Sequence, residues 1–242
     1  MIAKVPFNPA EHIQRISNFA SVSEQDTGYR MKILDYRYII WDWNGTLLDD
    51  VTPDLLTVNQ MMKNRNLGAL TLHEYRNLFC FPIADFYRKI NFPDDINSIA
   101  REYHDIYSAY KQYERLHPFA EDVLNSIQKK NIMQFILSAT KEDSLRKEVE
   151  KHGISSKFKA ICGCEVTGEK KENRGKEMVR YYQIEPEKTL MIGDTFHDAE
   201  IARALGFDCI LFSGGHNDLS QLNDAKINIF DNMQNLLAIS RY

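Results

Sequence analysis

Tyr38-Ile39-Ile40-Trp41-Asp42-Trp43-Asn44-Gly45-Thr46 is the stretch on which the fold turns. Four apolar residues in succession read as a short buried strand, and the run stops at a carboxylate followed by Asn44-Gly45, a turn signal. An acid is thereby presented at the carboxyl end of a strand.

Downstream the periodicity changes from strand to helix. Thr52 as N-cap and Pro53 at the first helical position open a run carrying Leu55, Leu56, Val58, Met61 and Met62 that ends at Gly68. Thr71 and Glu74 form a capping-box pattern, and Ile96, Ile99, Tyr103, Ile106, Tyr107 and Tyr110 repeat at three- and four-residue spacing. Residues 52–116 therefore read as all-helical.

After Pro118 strands and helices alternate. A helix near 120–130 precedes the strand Ile132-Met133-Gln134-Phe135-Ile136-Leu137, which Ser138 ends. A helix to Gly153, a weaker strand over 158–162, a helix over 172–182 and the strand Thr189-Leu190-Met191-Ile192 follow, with Gly193-Asp194 ending the last. A helix to Gly206, the strand Asp208-Cys209-Ile210-Leu211-Phe212, a short strand over 227–230 and a terminal helix complete the chain. Such alternation implies right-handed crossovers and a parallel sheet. The expected architecture is a Rossmann-like α/β core, helices on both faces, formed by residues 34–51 and 117–242. Residues 52–116 form an inserted helical cap, and residues 1–33 an amino-terminal extension.

Composition narrows the function. With 242 residues, 43% of them hydrophobic, the chain can bury a large core without metal or disulfide staples. A net charge of −4, with lysines scattered among glutamates, gives no basic field for nucleic acid. Cys80, Cys162, Cys164 and Cys209 are too few for a disulfide framework and lack zinc-site spacing, so structural thiols are expected. Pro6, Asn8, Pro9 and Glu11 break any apolar run after Lys4, and no stretch approaches the roughly 20 apolar residues of a membrane helix. A cytoplasmic protein with no membrane partner is expected; oligomeric state is not encoded in any pattern.

In an open parallel sheet, ligands gather outside the carboxyl ends of the strands. Asp42, Ser138 and Asp194 each follow directly on an apolar strand, which brings them to one edge of the sheet. Asp42 and Asp194, with Asp198 one helical turn beyond the latter, make a hard oxygen-rich cluster suited to Mg²⁺. A strand-end hydroxyl and a lysine complete an anion site. Taken singly, Ser138 and Asp194 read equally well as helix caps and Asp198 as a solvated surface residue. Their common strand context favours a site.

Asp42-Trp43-Asn44-Gly45-Thr46 resembles the first motif of the haloacid dehalogenase superfamily, Leu137-Ser138-Ala139-Thr140 its second, and Met191-Ile192-Gly193-Asp194-Thr195-Phe196-His197-Asp198 its fourth. The matches occur in family order from about residue 34 onward. The resemblance implies that Asp42 is the nucleophile that attacks phosphorus. It implies that Asp42, the Asn44 backbone carbonyl and Asp194 hold Mg²⁺ with Asp198 in support, and that Ser138, Ala139 and a lysine bind phosphate. Lys170, Lys171 and Lys176 all lie in the segment of the third motif, and the usual Lys-Pro dipeptide is absent; Lys171, at a helix start, is the choice. The cap resembles that of phosphoglycolate-phosphatase-like members, with Tyr87, Arg88 and Lys89 as a cluster of interest. Helix surfaces commonly carry such residues, so no role is assigned to them, nor to His197.

One position departs from the pattern. Most phosphatases of the superfamily carry a second Asp two residues after the nucleophile, as acid and base; here it is Asn44. An amide donates a hydrogen bond but no proton, and general acid catalysis is typically worth about 10²–10⁴-fold. The resemblance implies an Mg²⁺-dependent phosphohydrolase acting on a small phosphorylated metabolite through an aspartyl-phosphate. The alternatives are a phosphotransferase or a non-catalytic phosphate-sensing module. Halide displacement needs no cation, and a generic nucleotide-binding protein would show a Gly-rich phosphate loop, which the first strand lacks.

Overall fold

The computed structural model describes residues 33–165 and 170–239. The extension expected over 1–33 lies outside those residues except for Ile33, which is buried in the core.

Among the described residues, six parallel strands form the sheet: β1 (Tyr38–Trp41), β4 (Met133–Lys141), β5 (Ala160–Cys164), β6 (Thr189–Gly193), β7 (Asp208–Phe212) and β8 (Asn228–Phe230). Their order is β5-β4-β1-β6-β7-β8, so the quoted strand lies at the centre between β4 and β6. Strand geometry sends alternate side chains to opposite faces. Ile39 and Trp41 enter one apolar cluster, whereas Tyr38 and Ile40 enter the other.

Both faces are covered by helices. On the Trp41 side lie α5 (Ala120–Lys129), α6 (Glu142–Lys151) and Leu236 of α10 (Gln234–Ile239). On the Tyr38 side lie α7 (Lys171–Tyr182), α8 (Phe196–Leu205) and α9 (Leu219–Asp224). This double cover explains why β1 and β6 are buried throughout rather than on alternate residues. Each large side chain buried in full contributes about 1.5–3 kcal/mol, so the central strands anchor the site rigidly.

Between β1 and β4 the chain makes α1 (Val51–Asn64), α2 (Leu72–Leu78), α3 (Ile83–Lys89) and α4 (Ile96–Tyr110). These helices share their own apolar cluster, in which Met61, Tyr75, Phe86 and Ile99 are buried. This is the inserted all-helical cap. The two connections to the core pair as a small antiparallel ribbon, β2 (Leu48–Asp49) with β3 (Arg115–Leu116). Tyr87 packs inside the cap, while Arg88 pairs with Asp85 on its surface.

Local details differ from the sequence expectation in four places, the first being that the stretch 52–116, expected to be all-helical, ends in the strand β3, drawn out by its pairing with β2. The capping box at Thr71 and Glu74 forms, but α1 begins earlier than Thr52: its N-cap is Asp50, and Pro53 falls inside the first turn, where no N–H is needed. Ser138 lies within β4, because the ladder with β5 shifts register after Leu137 and resumes at Lys141. The strand expected over 158–162 forms two residues later, as Phe158 still serves the short 3₁₀ turn before it.

Candidate active site

Four strand ends build the site. Asp42 follows β1 and its backbone N–H donates to the Ile192 carbonyl on β6, so the nucleophile candidate is tied to the strand that ends at Asp194. Thr46 then bridges the two acids, its hydroxyl 2.9 Å from Asp194 Oδ1 and 3.3 Å from Asp42 Oδ2. The turn between Asp42 and Thr46 needs Gly45 for two reasons. Its φ is +74°, and a Cβ there would stand 2.2 Å from Asp194 Oδ2.

Lys171, the first residue of α7, is buried and bridges two carboxylates: Nζ is 2.5 Å from Asp42 Oδ1 and 2.7 Å from Asp198 Oδ1. Lys170 is exposed, and Lys176 pairs with Glu172 on the helix surface. Of the three lysines only Lys171 meets the acids. Asp198 Oδ2 accepts from the Thr195 N–H and hydroxyl, closing a capping box at the start of α8. Both oxygens of Asp198 are thus engaged inside the protein, as are those of Asp42 and Asp194.

Asp42, Asp194 and Asp198 nonetheless offer carboxylate oxygens within 4.8 Å of one another, all buried. Burial pushes the Asp194 carboxyl up to about 8, with Asp42 and Asp198 adding repulsion. Burial raises Asp42 to about 6 despite the Lys171 ammonium. Burial also acts on Asp198, but there Lys171 wins and holds it below the usual carboxylate range. A pair of buried acids of which one resists ionisation is what a divalent cation with hard oxygen preference relieves. The donor set fits Mg²⁺.

Ser138 is buried, and its hydroxyl accepts from the Thr140 N–H at 3.1 Å. Ala139 is exposed, where the site meets solvent. Asn44 is half-buried with both ends of its amide occupied: Oδ1 accepts from the Thr140 hydroxyl at 2.7 Å, and Nδ2 donates to Asp50 Oδ2 at 2.6 Å. His197 faces outward, pairing with Glu200 and stacked on Phe81 of the cap. Cys162 and Cys209 are buried free thiols.

Two site residues carried no motif. Asp50 is fully buried, and its Oδ1 accepts from Gly45 N–H at 2.7 Å and lies 3.1 Å from His216 Nε2. His216 donates its backbone N–H to Asp194 Oδ2 at 2.7 Å, and its Nδ1 lies 2.9 Å from the Tyr75 hydroxyl of the cap. Although burial disfavours its charge, Asp50 holds the imidazole protonated, up to about 10. The available signal is Ser213-Gly214-Gly215 directly after β7, the same strand-end cue that marks Asp42, Ser138 and Asp194. At Gly215 a Cβ would stand 2.1 Å from Asp194 Oδ2.

The chain is 28% identical over 169 residues to pyrophosphatase PpaX of Oceanobacillus iheyensis, covering 68% of this chain and 78% of that protein. It is 23% identical over 226 residues to a phosphoglycolate phosphatase of Aliivibrio fischeri, covering 85% and 96%. Among solved structures, a haloacid dehalogenase-like hydrolase family protein of Streptococcus pneumoniae superposes with a TM-score of 0.75 at 20% identity, over 84% of this chain and 98% of that one. The family model described as haloacid dehalogenase-like hydrolase matches residues 39–212, from β1 to the end of β7 and so across all four strand ends, and the chain belongs to that family.

Proposed function

We propose that the chain is a magnesium-dependent phosphohydrolase that takes the phosphoryl group of a small organic phosphate onto Asp42 and then releases it to water. The observation that carries this reading is the Lys171 bridge between Asp42 and Asp198, which holds one buried carboxylate oxygen at a fixed place beside a second buried acid, Asp194. A nucleophile positioned in this way has lost its freedom before substrate arrives.

Asp42 attacks phosphorus with an oxygen lone pair, the bond from phosphorus to the leaving oxygen breaks, and that oxygen departs with the electron pair. Water then hydrolyses the acyl phosphate and regenerates Asp42. Ser138, the Ala139 backbone and Lys171 bind the phosphoryl oxygens. Bound magnesium, held by Asp42, Asp194 and the Asn44 backbone carbonyl, would offset the negative charge of the phosphoryl group. Asn44 supplies a hydrogen bond and no proton, so substrates whose leaving oxygen departs as a stabilised anion are favoured. Residues 52–116 serve as the cap over a core of 34–51 and 117–242. The free thiols of Cys80, Cys162 and Cys209 suit the reducing cytoplasm, where we place the enzyme.

The test is phosphate release from a panel of phosphorylated metabolites and acetyl phosphate with and without magnesium. Magnesium-dependent release is the expected result. Transfer to an added acceptor without release would favour a phosphotransferase, and silence across the panel would favour phosphate sensing.

A further inference from the structure

Asp50 stands at the N-cap position of the first cap helix, yet its side chain makes no capping hydrogen bond to that helix. An Asp in this place ordinarily satisfies the first orphan N–H groups of its own helix. Here the carboxylate turns back onto the turn that follows the nucleophile. Oδ1 takes the Gly45 N–H and faces His216 Nε2, and Oδ2 takes Asn44 Nδ2. The carboxylate is buried and kept ionised: burial opposes the charge, but the His216 imidazolium and the donors from Asn44 and Gly45 hold it below the ordinary range.

The Asn44 amide has no orientation of its own, because its two ends are nearly the same shape. Asp50 decides it: the carboxylate only accepts, so it selects the nitrogen, and the oxygen is left facing the Thr140 hydroxyl, which donates to it. Thr140 in turn donates its N–H to Ser138 Oγ, so the same chain of bonds reaches the phosphate-binding hydroxyl. Asn44 Nδ2 retains a second N–H beyond the one given to Asp50.

We propose that Asp50 is a positioning residue for phosphoryl transfer: it holds the Asn44 amide and the Gly45 N–H in the arrangement in which the Asp42 turn is competent, and it does so from the hinge of the cap. The inference rests on the phosphohydrolase reading above and adds to it a residue outside every motif. The hinge position matters because Asp50 also meets His216, whose backbone N–H is on Asp194 and whose ring is stacked on Phe79 of the cap at 4.9 Å. One carboxylate therefore joins the nucleophile turn, the loop after β7 and the first helix of the cap.

The hydrogen-bond roles permit a sharp test by exchange. In Asp50→Asn alone, the side chain can no longer accept from both Asn44 and the Gly45–His216 pair, and two amide nitrogens are brought together. In Asn44→Asp alone, two carboxylates face each other. In the exchange Asn44→Asp/Asp50→Asn every bond has a partner again: the amide introduced at position 50 accepts from Gly45 and His216 and donates to the carboxylate introduced at position 44, which still accepts from Thr140. Charge and volume are conserved. Acetyl phosphate is the probe, since its leaving group needs no protonation.

Each single variant is expected to lose roughly tenfold to a hundredfold in kcat, the range for losing a hydrogen bond to a charged group, with KM within about threefold. The exchange is expected to return kcat to within about fivefold of the native enzyme. Magnesium affinity and melting temperature are followed in all four proteins. Additive losses in kcat would overturn the inference. So would an exchange variant that regains its melting temperature without its kcat, since that outcome assigns Asp50 a structural role alone. Failure of the underlying reading is separate: it shows as a native enzyme that acquires no phosphoryl label on Asp42.

Discussion

Lys171 Nζ sits 2.5 Å from Asp42 Oδ1 and is buried together with the carboxylate it holds. Burial alone would push its proton off, but Asp198 and Asp42 together raise its pKa above that of a free lysine. The ammonium is permanent at any physiological pH, and the Asp42 oxygen it binds is permanently located.

Removing that ammonium leaves two buried carboxylates uncompensated, a change that typically costs about 3–5 kcal/mol. Lys171→Met is therefore expected to lower the melting temperature and abolish turnover, while Lys170→Ala and Lys176→Ala leave both nearly unchanged. Thermal melts and phosphate release on the three variants check this. Wild-type turnover in Lys171→Met would show that another cation serves Asp42.

Asp42→Asn tests the covalent step. The fold should survive, because Lys171 keeps Asp198 as its partner and Thr46 keeps Asp194. Turnover should not, since an amide is a very poor nucleophile. Borohydride trapping during turnover, followed by peptide mass analysis, should place the label on Asp42 in the native protein and nowhere in the variant. A label on any other residue sinks the mechanism.

The same acids set the response to pH. Asp42, Asp54 and Asp194 all have folded pKa values raised by burial, to about 6, 7 and 8, above the ordinary 3.8. His216 is raised from 6.5 to about 10, Asp50 outweighing burial. Between pH 5 and 8 the folded chain thus binds more protons than the unfolded one, and stability falls as pH rises. Asp50 and Asp198 act oppositely, but both are lowered, so their contribution is lost only as pH falls below about 4. His117 and His152, both lowered by burial, also act oppositely below about pH 6.5 and leave the fall in stability steepest above it. The metal-free protein should melt on the order of 5–10 °C lower at pH 8 than at pH 5. Saturating magnesium should shrink that difference, because it favours ionised Asp194. An equal pH slope with and without magnesium would mean that the ion does not bind at Asp194.

Much of this site was legible because strands announce themselves by apolar runs, and a carboxylate at the end of such a run has few structural reasons to be there. Asp42, Ser138 and Asp194 stand at the ends of such runs, and Lys171 at a helix start in the segment where the family resemblance implies a lysine. Asp50 was not. It reads as an ordinary acid at a helix amino end, and only the fold shows its side chain turned away from its helix. His216 needed knowledge that β7 ends at the same sheet edge and that the cap closes over it. Thr46 and Thr140 are small hydroxyls whose role is set by neighbours about 100 or more residues distant in sequence. Hydrophobic periodicity carries no record of such pairings.

The last prediction concerns the leaving group. On the proposed reading, Asn44 occupies the place where a proton donor would act, and its amide cannot supply one. Acetyl phosphate departs as a stabilised carboxylate, whereas an alkyl phosphate must depart as a strongly basic alkoxide. The native enzyme should therefore discriminate between them through kcat/KM. Placing a carboxyl at 44 should help the alkyl substrate selectively, but Asn44→Asp by itself sets that group against Asp50 Oδ2, which now lies 2.6 Å from Asn44 Nδ2, and builds in repulsion. The exchange Asn44→Asp/Asp50→Asn avoids this, since the new amide at 50 donates to the new carboxyl at 44 and the total charge is unchanged. Relative to native, it should raise kcat/KM for an alkyl phosphate over that for acetyl phosphate, by at most about the 10²–10⁴-fold that general acid catalysis supplies. Saturating magnesium is required, because an added carboxyl beside Asp42 would otherwise raise the pKa of one of the two. Equal changes for both substrates would mean that residue 44 does not stand where the leaving oxygen takes its proton.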